Sequence, residues 1–160
     1  MKDSISGITI VVIFSGLLFV LPKFAMAQGV IAFDDQLDRY WVAKKVAPIY
    51  PSEALRRGTM GCAAVGFIIK SDGSTGDHKV LAFDPSNVFN KSAITAAKKF
   101  KYQPAEQNPD KTPALTFNVF TYQINVDKKT DEKNRKKLKD ICSTMAKKVL
   151  EPLTGSSDTS

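Results

Sequence analysis

Cysteine and histidine side chains can do acid–base, covalent or metal chemistry, and this sequence has few of them: Cys62, Cys142 and His78. The chain has two cysteines and one histidine, and this set lacks the number and spacing of ligands that a zinc site requires. Asp72 and Asp77 lie in a stretch typical of turns, and His78 follows them at the start of an apparent strand. Since no nucleophile is paired with a base, the sequence predicts no enzyme, no metal site and no cofactor.

The first 27 residues have the three parts of a secretory signal peptide. Lys2 gives a positive start, Ile8–Leu21 is apolar, and Ala25–Ala27 has the small-x-small pattern of a cleavage site. Cleavage would leave Gln28 at the start of the mature chain. The alternative is an uncleaved anchor, although the apolar run is shorter than the ~20 residues that a spanning helix needs. Both alternatives place the body of the protein outside the cytoplasm.

Export determines how the two cysteines are interpreted. In an oxidising compartment an even number of cysteines favours a disulfide, here between Cys62 and Cys142. The alternative is a pair of buried free thiols.

The formal charge of +7 is concentrated in a lysine-rich run, Lys128–Lys139. Such runs are usually solvated helix faces. No aromatic residues interleave these lysines, as single-stranded nucleic acid would require, so nucleic acid is not an expected partner.

The central elements are predicted from periodicity. Gly61–Phe83 alternates as a β-hairpin around Asp72-Gly73, which suits a tight turn. Pro51 and Ser52–Arg57 favour a short helix ended by Gly58. Val88–Tyr102 has one apolar stripe and predicts a helix of about three turns, and Leu115–Val126 is predicted to be a third strand.

The flanking segments carry two further helical patterns. In the leader, Gln28–Val46, apolar residues recur at helical intervals and predict a short helix, with Trp41 as a packing residue. Near the C-terminus, Glu132–Leu150 has an apolar stripe that includes Cys142, and Pro152 ends it. The polar tail that follows is predicted to be disordered.

These elements predict an α+β fold. A three-stranded antiparallel sheet carries helices packed on it, in the order α-β-β-α-β, with an extra C-terminal helix. The predicted segments are a signal peptide at 1–27, a leader at 28–46, a domain at 47–126, a helical extension at 127–153 and a tail at 154–160.

Five stretches in this order resemble the C-terminal domain of the TonB energy transducer. They are P-x-Y-P at Pro48–Pro51, ALRRG at Ala54–Gly58, G-x-x-x-V-x-F-x-I-x-x-D-G at Gly61–Gly73, K-V-L at Lys79–Leu81, and F-x-x-x-A-I-x-A-x-K-x-F-K-Y-x-P at Phe89–Pro104. The resemblance covers about half of the chain. It implies a periplasmic domain whose last strand, here Thr116–Ile124, is a sheet edge to which an extended segment of an outer-membrane receptor is added.

The resemblance also implies which residues meet the partner. In the family, a glutamine just before the P-x-Y-P stretch contacts the receptor segment, and Ala47 holds that position here. The partner-binding residues that it implies are Ala47, Pro48, Tyr50, Thr116, Asn118, Phe120 and Tyr122. Two alternatives stay open: the aromatic side chains simply pack in the core, or the edge pairs with a second copy to form a homodimer.

Strand parity gives the C-terminal helix a place. Val65, Phe67 and Ile69 point to one face of the predicted hairpin, which the core helix should cover, whereas Cys62 points to the other. We therefore expect the C-terminal helix to pack near that second face or the end of the sheet, joined to it by Cys62–Cys142.

Two functions are consistent with these observations. The first is a TonB-like module that captures a segment of an outer-membrane receptor or another periplasmic protein in TonB-dependent transport, with inner-membrane motor proteins as further partners if the N-terminus is uncleaved. The second is a soluble exported protein with a regulatory or structural peptide-binding role and no direct energy transduction.

Overall fold

A computed structural model describes residues 30–31, 34–124 and 127–153. The predicted signal peptide, the tail at 154–160 and the predicted end of the third strand at Val126 lie outside these residues. Within the described ranges, no helix combines the length and the apolar character needed to cross a bilayer.

The main sheet contains the three antiparallel strands that the sequence predicts. They are β3 (Gly61–Ile69), β4 (Thr75–Asp84) and β6 (Ala114–Tyr122), with β3 in the centre. A further two-residue strand, β1 (Val30–Ile31), pairs in parallel with the start of β6, and the strand order is β1-β6-β3-β4. The predicted α+β fold is confirmed, while β1 was not predicted.

The turn of the hairpin has the predicted left-handed residue, because Gly73 adopts φ +77°. The Gly73 amide donates to the Lys70 carbonyl over 2.8 Å, and the Lys70 amide donates to the Ser74 carbonyl over 2.9 Å. The Asp72 carboxylate accepts from the Ser74 amide over 2.8 Å. A short polar stretch therefore closes the hairpin by its own local hydrogen bonds.

The alternation predicted for the second strand of the hairpin is interrupted where its pairing with β3 shifts register, and one of the two shifts lies at Leu81. Ala64 pairs with Ala82 but the next residue, Val65, pairs with Val80, so Leu81 is an extra residue in β4. This β-bulge turns Leu81 and Ala82 toward the same face of the sheet.

The third strand is shorter than predicted and ends at Tyr122. The next element along the chain is helix α4 (Lys128–Leu150), whose first turn is capped by the Asp127 carboxylate. That carboxylate accepts from the Lys129 and Thr130 amides over 3.1 and 3.0 Å, and the Gln123 side chain donates to the Asp131 carbonyl over 2.8 Å.

A second, two-stranded sheet was not predicted. It pairs β2 (Trp41–Lys44) with β5 (Lys101–Pro104). Consequently the leader helix, α1, covers only Asp34–Tyr40, and the core helix, α3, covers Asn90–Ala97 after a 3₁₀ turn at Asn87–Phe89. The remaining helix, α2, is Ser52–Arg56, and a 3₁₀ turn at Glu151–Leu153 follows α4.

Trp41 has the packing role predicted for it. Its side chain is fully buried, and its indole nitrogen donates to the Thr112 carbonyl over 3.2 Å.

Two apolar clusters lie on opposite faces of the main sheet. The first joins Val65, Phe67 and Ile69 to α3, and it also contains Phe120 and Tyr122 of β6. The second joins Cys62, Ala64 and Phe117 to Cys142, Ala146 and Leu150 of α4. A disulfide links Cys62 to Cys142, so the predicted staple and the predicted face of α4 are both observed.

Candidate functional site: the β6 edge and the segment beside it

The main chain of β6 has one edge paired along its whole length and one that is paired only at its start. On the inner side, β6 pairs with β3 in an unbroken register from Gly61↔Tyr122 to Ile69↔Ala114. On the outer side, β1 pairs with Ala114 and Leu115. Among the described residues no strand pairs with the outer side of β6 from Thr116 to Tyr122.

The opposite edge of the sheet, β4, is irregular. Its pairing with β3 shifts register twice, and Asp77 within it adopts φ +51°. Bulges and charged residues protect an edge strand against the addition of another strand. The sheet therefore offers one regular edge for an incoming strand, on β6.

The predicted binding residues of β6 have their side chains directed inward. Thr116 is fully buried, Phe120 and Tyr122 belong to the first apolar cluster, and Asn118 is half-buried. The Phe120 ring lies 5.7 Å from that of Phe100. These side chains build the core behind the edge, so what the strand can offer an extended partner is its main chain.

The predicted segment Ala47–Tyr50 lies beside the far end of β6. The Tyr50 ring packs edge-on against Tyr122 and Phe89, with centroids 5.6 and 5.9 Å apart. Its hydroxyl donates to the Thr59 carbonyl over 2.6 Å. Burial raises the pKa of both Tyr50 and Tyr122, so both phenols stay neutral near pH 7. The structure thus brings the two predicted parts of the site together.

The outer surface of this segment faces solvent. Ala47 is exposed and Ile49 is 78% exposed, although the Ser92 hydroxyl of α3 donates to the Ile49 carbonyl and holds the backbone in place. An exposed isoleucine on a fixed backbone offers an apolar contact for another molecule.

A groove of about 310 Å³ runs between this segment and α3. Apolar side chains dominate its walls, with Lys91 and Lys99 also lining it. Sequence reasoning missed this groove, because it forms only where α3 packs next to a segment that has no regular structure of its own. In the sequence, the one available signal was an apolar residue, Ile49, within a proline-bounded stretch.

His78 and Asp72, whose side chains are of types that can act in catalysis, have local structural roles. His78 has Nε2 3.0 Å from the Thr75 hydroxyl, and burial, reinforced by Lys98, lowers its pKa. The hydrogen bonds from Ser74 lower the pKa of Asp72. Across the described ranges, no group of three or more histidine, cysteine or acidic side chains is placed to hold a metal ion.

Comparison with known proteins places this arrangement in a family. The family model for the Gram-negative bacterial TonB protein C-terminal domain matches residues 46–124. The chain is 26% identical over 81 residues to protein TonB of Klebsiella pneumoniae, which covers 51% of this chain and 33% of that protein. It is 39% identical over 77 residues to protein TonB of Pseudomonas aeruginosa, which covers 48% of this chain and 22% of that protein. The chain thus spans a third or less of these relatives' length.

A solved structure has the same fold. The solution structure of the Pseudomonas aeruginosa TonB C-terminal domain superposes with a TM-score of 0.50 at 24% identity, covering 61% of this chain and 98% of that one. The family match, the relatives and this fold agree on one assignment: residues 46–124 form a TonB C-terminal domain.

Proposed function

We propose that this protein captures an extended segment of an outer-membrane receptor along the outer edge of β6, as a periplasmic module linked to TonB-dependent transport. TonB C-terminal domains are protein-interaction domains of energy transduction, they are not enzymes, and they interact with outer-membrane receptors. In the proposed complex the partner segment becomes a further strand of the sheet, held by main-chain hydrogen bonds.

The observation that carries the proposal is the contrast between the two edges of the sheet. The outer edge of β6 is regular and continues for seven residues beyond the contact with β1, whereas β4 is bulged. Side chains behind the edge are packed, with Phe120 and Tyr122 in the core, so a strand can be added without rearranging them.

The segment Ala47–Tyr50 supplies the second contact in this proposal. Tyr50 ties it to Tyr122 at the end of the edge, and Ile49 is exposed beside the groove on α3. A partner strand that leaves β6 at Tyr122 would meet this segment next. The edge supports affinity for any extended chain, and the segment supports discrimination between chains.

Location in the periplasm is part of the proposal. The signal-like pattern of Met1–Ala27 supports export, and the disulfide between Cys62 and Cys142 is a bond that persists in oxidising compartments.

A second candidate function is a soluble exported protein that binds peptides for a regulatory or structural purpose without transmitting energy. The small-x-small pattern at Ala25–Ala27 favours it, since cleavage there separates the domain from the membrane. If the N-terminus is retained, inner-membrane motor proteins become additional partners. N-terminal sequencing of the protein recovered from the periplasm distinguishes the two, because Gln28 as first residue supports the second function and Met1 in the membrane fraction supports the first.

Strand addition is tested with N-methylated peptides. Synthetic peptides that together cover the periplasmic segments of the outer-membrane receptors of the same bacterium are first screened for binding. The peptide that binds is then remade in two forms, each with a different alternate set of backbone amides methylated. One form should lose at least tenfold in affinity, since its edge-facing donors are blocked, and the other should bind normally. Equal binding of both forms would contradict capture by strand addition.

A further inference from the structure

The first two positions of the β6 edge are already occupied by the chain itself. Val30 pairs with Ala114 and Ile31 pairs with Leu115, in parallel. We propose that β1 is an internal competitor for the edge, which a partner strand must displace to pair with Ala114 and Leu115. This inference rests on the proposed function, because it concerns the same edge.

The length of β1 makes it displaceable. A pairing of two residues forms few main-chain hydrogen bonds, and parallel pairing is slightly weaker per residue than antiparallel pairing. Even a complete two-stranded hairpin is only marginally stable in water. An incoming strand that pairs along the whole edge, Ala114–Tyr122, forms more bonds than it breaks.

The attachment of β1 keeps it close to the edge after release. Only two residues of sequence separate Ile31 from the start of α1 at Asp34. The helix is fixed to the body of the domain, since Leu37 is buried and the Tyr40 carbonyl accepts from the Ala105 amide over 2.9 Å. A tethered segment competes at a high effective concentration, so β1 lowers the apparent affinity of the edge for every partner without closing it.

The sequence of β1 indicates the chemistry that the edge accepts at this end. Val30 and Ile31 are adjacent β-branched residues, which favour extended structure. They pair with Ala114, which is buried, and with Leu115, which is half-buried. We therefore expect a competing partner segment to carry β-branched residues where it pairs with Ala114 and Leu115.

The experiment uses the peptide of residues 28–34, QGVIAFD, as a labelled probe for the edge. Its binding to the full chain is measured by fluorescence polarisation for the wild type and for the double variant Val30→Pro/Ile31→Pro, since proline lacks the amide donor and disfavours pairing. The matched control, Val30→Thr/Ile31→Thr, retains strand-forming residues. We expect the proline variant to bind the peptide about 3- to 30-fold more tightly than the wild type and the threonine control to bind as the wild type does.

Hydrogen exchange of the full chain gives a second readout that does not depend on the peptide's affinity. The backbone amides within Ala114–Thr116 that face away from β3 should exchange faster in the proline variant, while those of β3 stay protected and show that the domain is folded. Unchanged exchange at Ala114–Thr116 would overturn the inference.

The binding outcomes separate this inference from the proposed function. If the proline variant binds the probe and the receptor peptides no more tightly than the wild type does, the proposed role of β1 is wrong. Capture of a partner at the edge still stands in that case, provided that the receptor peptides bind. If neither the probe nor any receptor peptide binds either protein, both proposals fail.

Discussion

Cys62 of β3 and Cys142 of α4 are joined by a disulfide, with their Cα atoms 6.2 Å apart and the two residues separated by 80 positions in sequence. Both side chains are fully buried in the second apolar cluster, on the face of the sheet opposite α3. Helix α4 thus packs against the face that β3, β4 and β6 form together. The disulfide fixes α4 to that face, which supports the strand that we propose to be the binding edge.

Removal of this disulfide should lower the free energy of unfolding by about 4 kcal/mol, because the unfolded chain loses the constraint of a long closed loop. The variant is Cys62→Ala/Cys142→Ala, and the measurement is urea-induced unfolding followed by circular dichroism. A reductant should shift the wild type toward the variant and leave the variant unchanged. A wild type and a variant with equal midpoints would contradict a stabilising role for the bond.

Gly73 should tolerate alanine less well than Gly58, although both have positive φ, +77° and +63°. A Cβ at Gly73 would collide with the Tyr102 carbonyl, whereas at Gly58 no atom lies within 4 Å. We expect Gly58→Ala to cost about 1 kcal/mol, from backbone strain alone, and Gly73→Ala at least about 3 kcal/mol. Thermal unfolding of the two variants measures the difference, and equal losses would show that contact with β5 does not restrain the turn.

His78 should make the folded state less stable as the pH falls below about 6.5. Burial lowers the pKa of the folded imidazole; Lys98 and Lys70 lower it further, while Asp77 and the Ala97 main chain oppose the shift. The unfolded chain therefore binds a proton at a higher pH than the folded chain does, so stability is complete above that pH and declines below it.

The variant His78→Gln isolates this contribution. Chemical unfolding at a series of pH values from 7.5 to 5 should show a smaller loss of stability in the variant than in the wild type. The carboxylates with lowered pKa, Asp72 and Asp127, act only below this range and are common to both proteins. Parallel pH profiles for the two proteins would contradict the assignment.

Ala47→Gln should strengthen binding of receptor peptides about 2- to 10-fold, since it supplies the amide that the family resemblance implies at this position, and one added hydrogen bond contributes on that scale. Ala47 is exposed, so the substitution should leave stability unchanged. The control, Ala47→Met, has similar length without the amide. Isothermal titration calorimetry with a binding receptor peptide compares the three proteins, and equal affinities for the glutamine and methionine variants would exclude an amide contact.

Local pattern was sufficient for the elements in which neighbouring residues decide the structure. Three such features are predicted from stretches of about twenty residues or fewer, and all three are observed: the alternation in Gly61–Ile69, the Asp72-Gly73 turn and the apolar stripe of α4. The disulfide was predictable from two cysteines in a chain with a predicted export signal. The face that α4 covers was predictable from the parity of Cys62 along its strand and from Cys142 in the apolar stripe of α4.

Pairings between distant segments could not be predicted in this way. Trp41–Lys44 pairs with Lys101–Pro104 to form the second sheet. The helical periodicity of the leader and of Val88–Tyr102 extends into these two segments, so the helices predicted there are longer than those observed. The bulge at Leu81 was missed for a related reason, because the residue left out of a ladder is decided by the partner strand and not by the strand that contains it.

In the candidate site, too, some features follow from local sequence and others only from contacts between distant segments. The sequence by itself determined that a third strand begins near Leu115, that Tyr50 lies in a proline-bounded segment and that the chain resembles one family, because these are properties of residue type and order. Only the tertiary structure decided that Phe120 and Tyr122 are core residues, that Tyr50 joins the segment to the end of the strand, and that β1 covers Ala114 and Leu115. These are contacts between segments that meet only after folding, and their free energies depend on geometry that no local pattern carries.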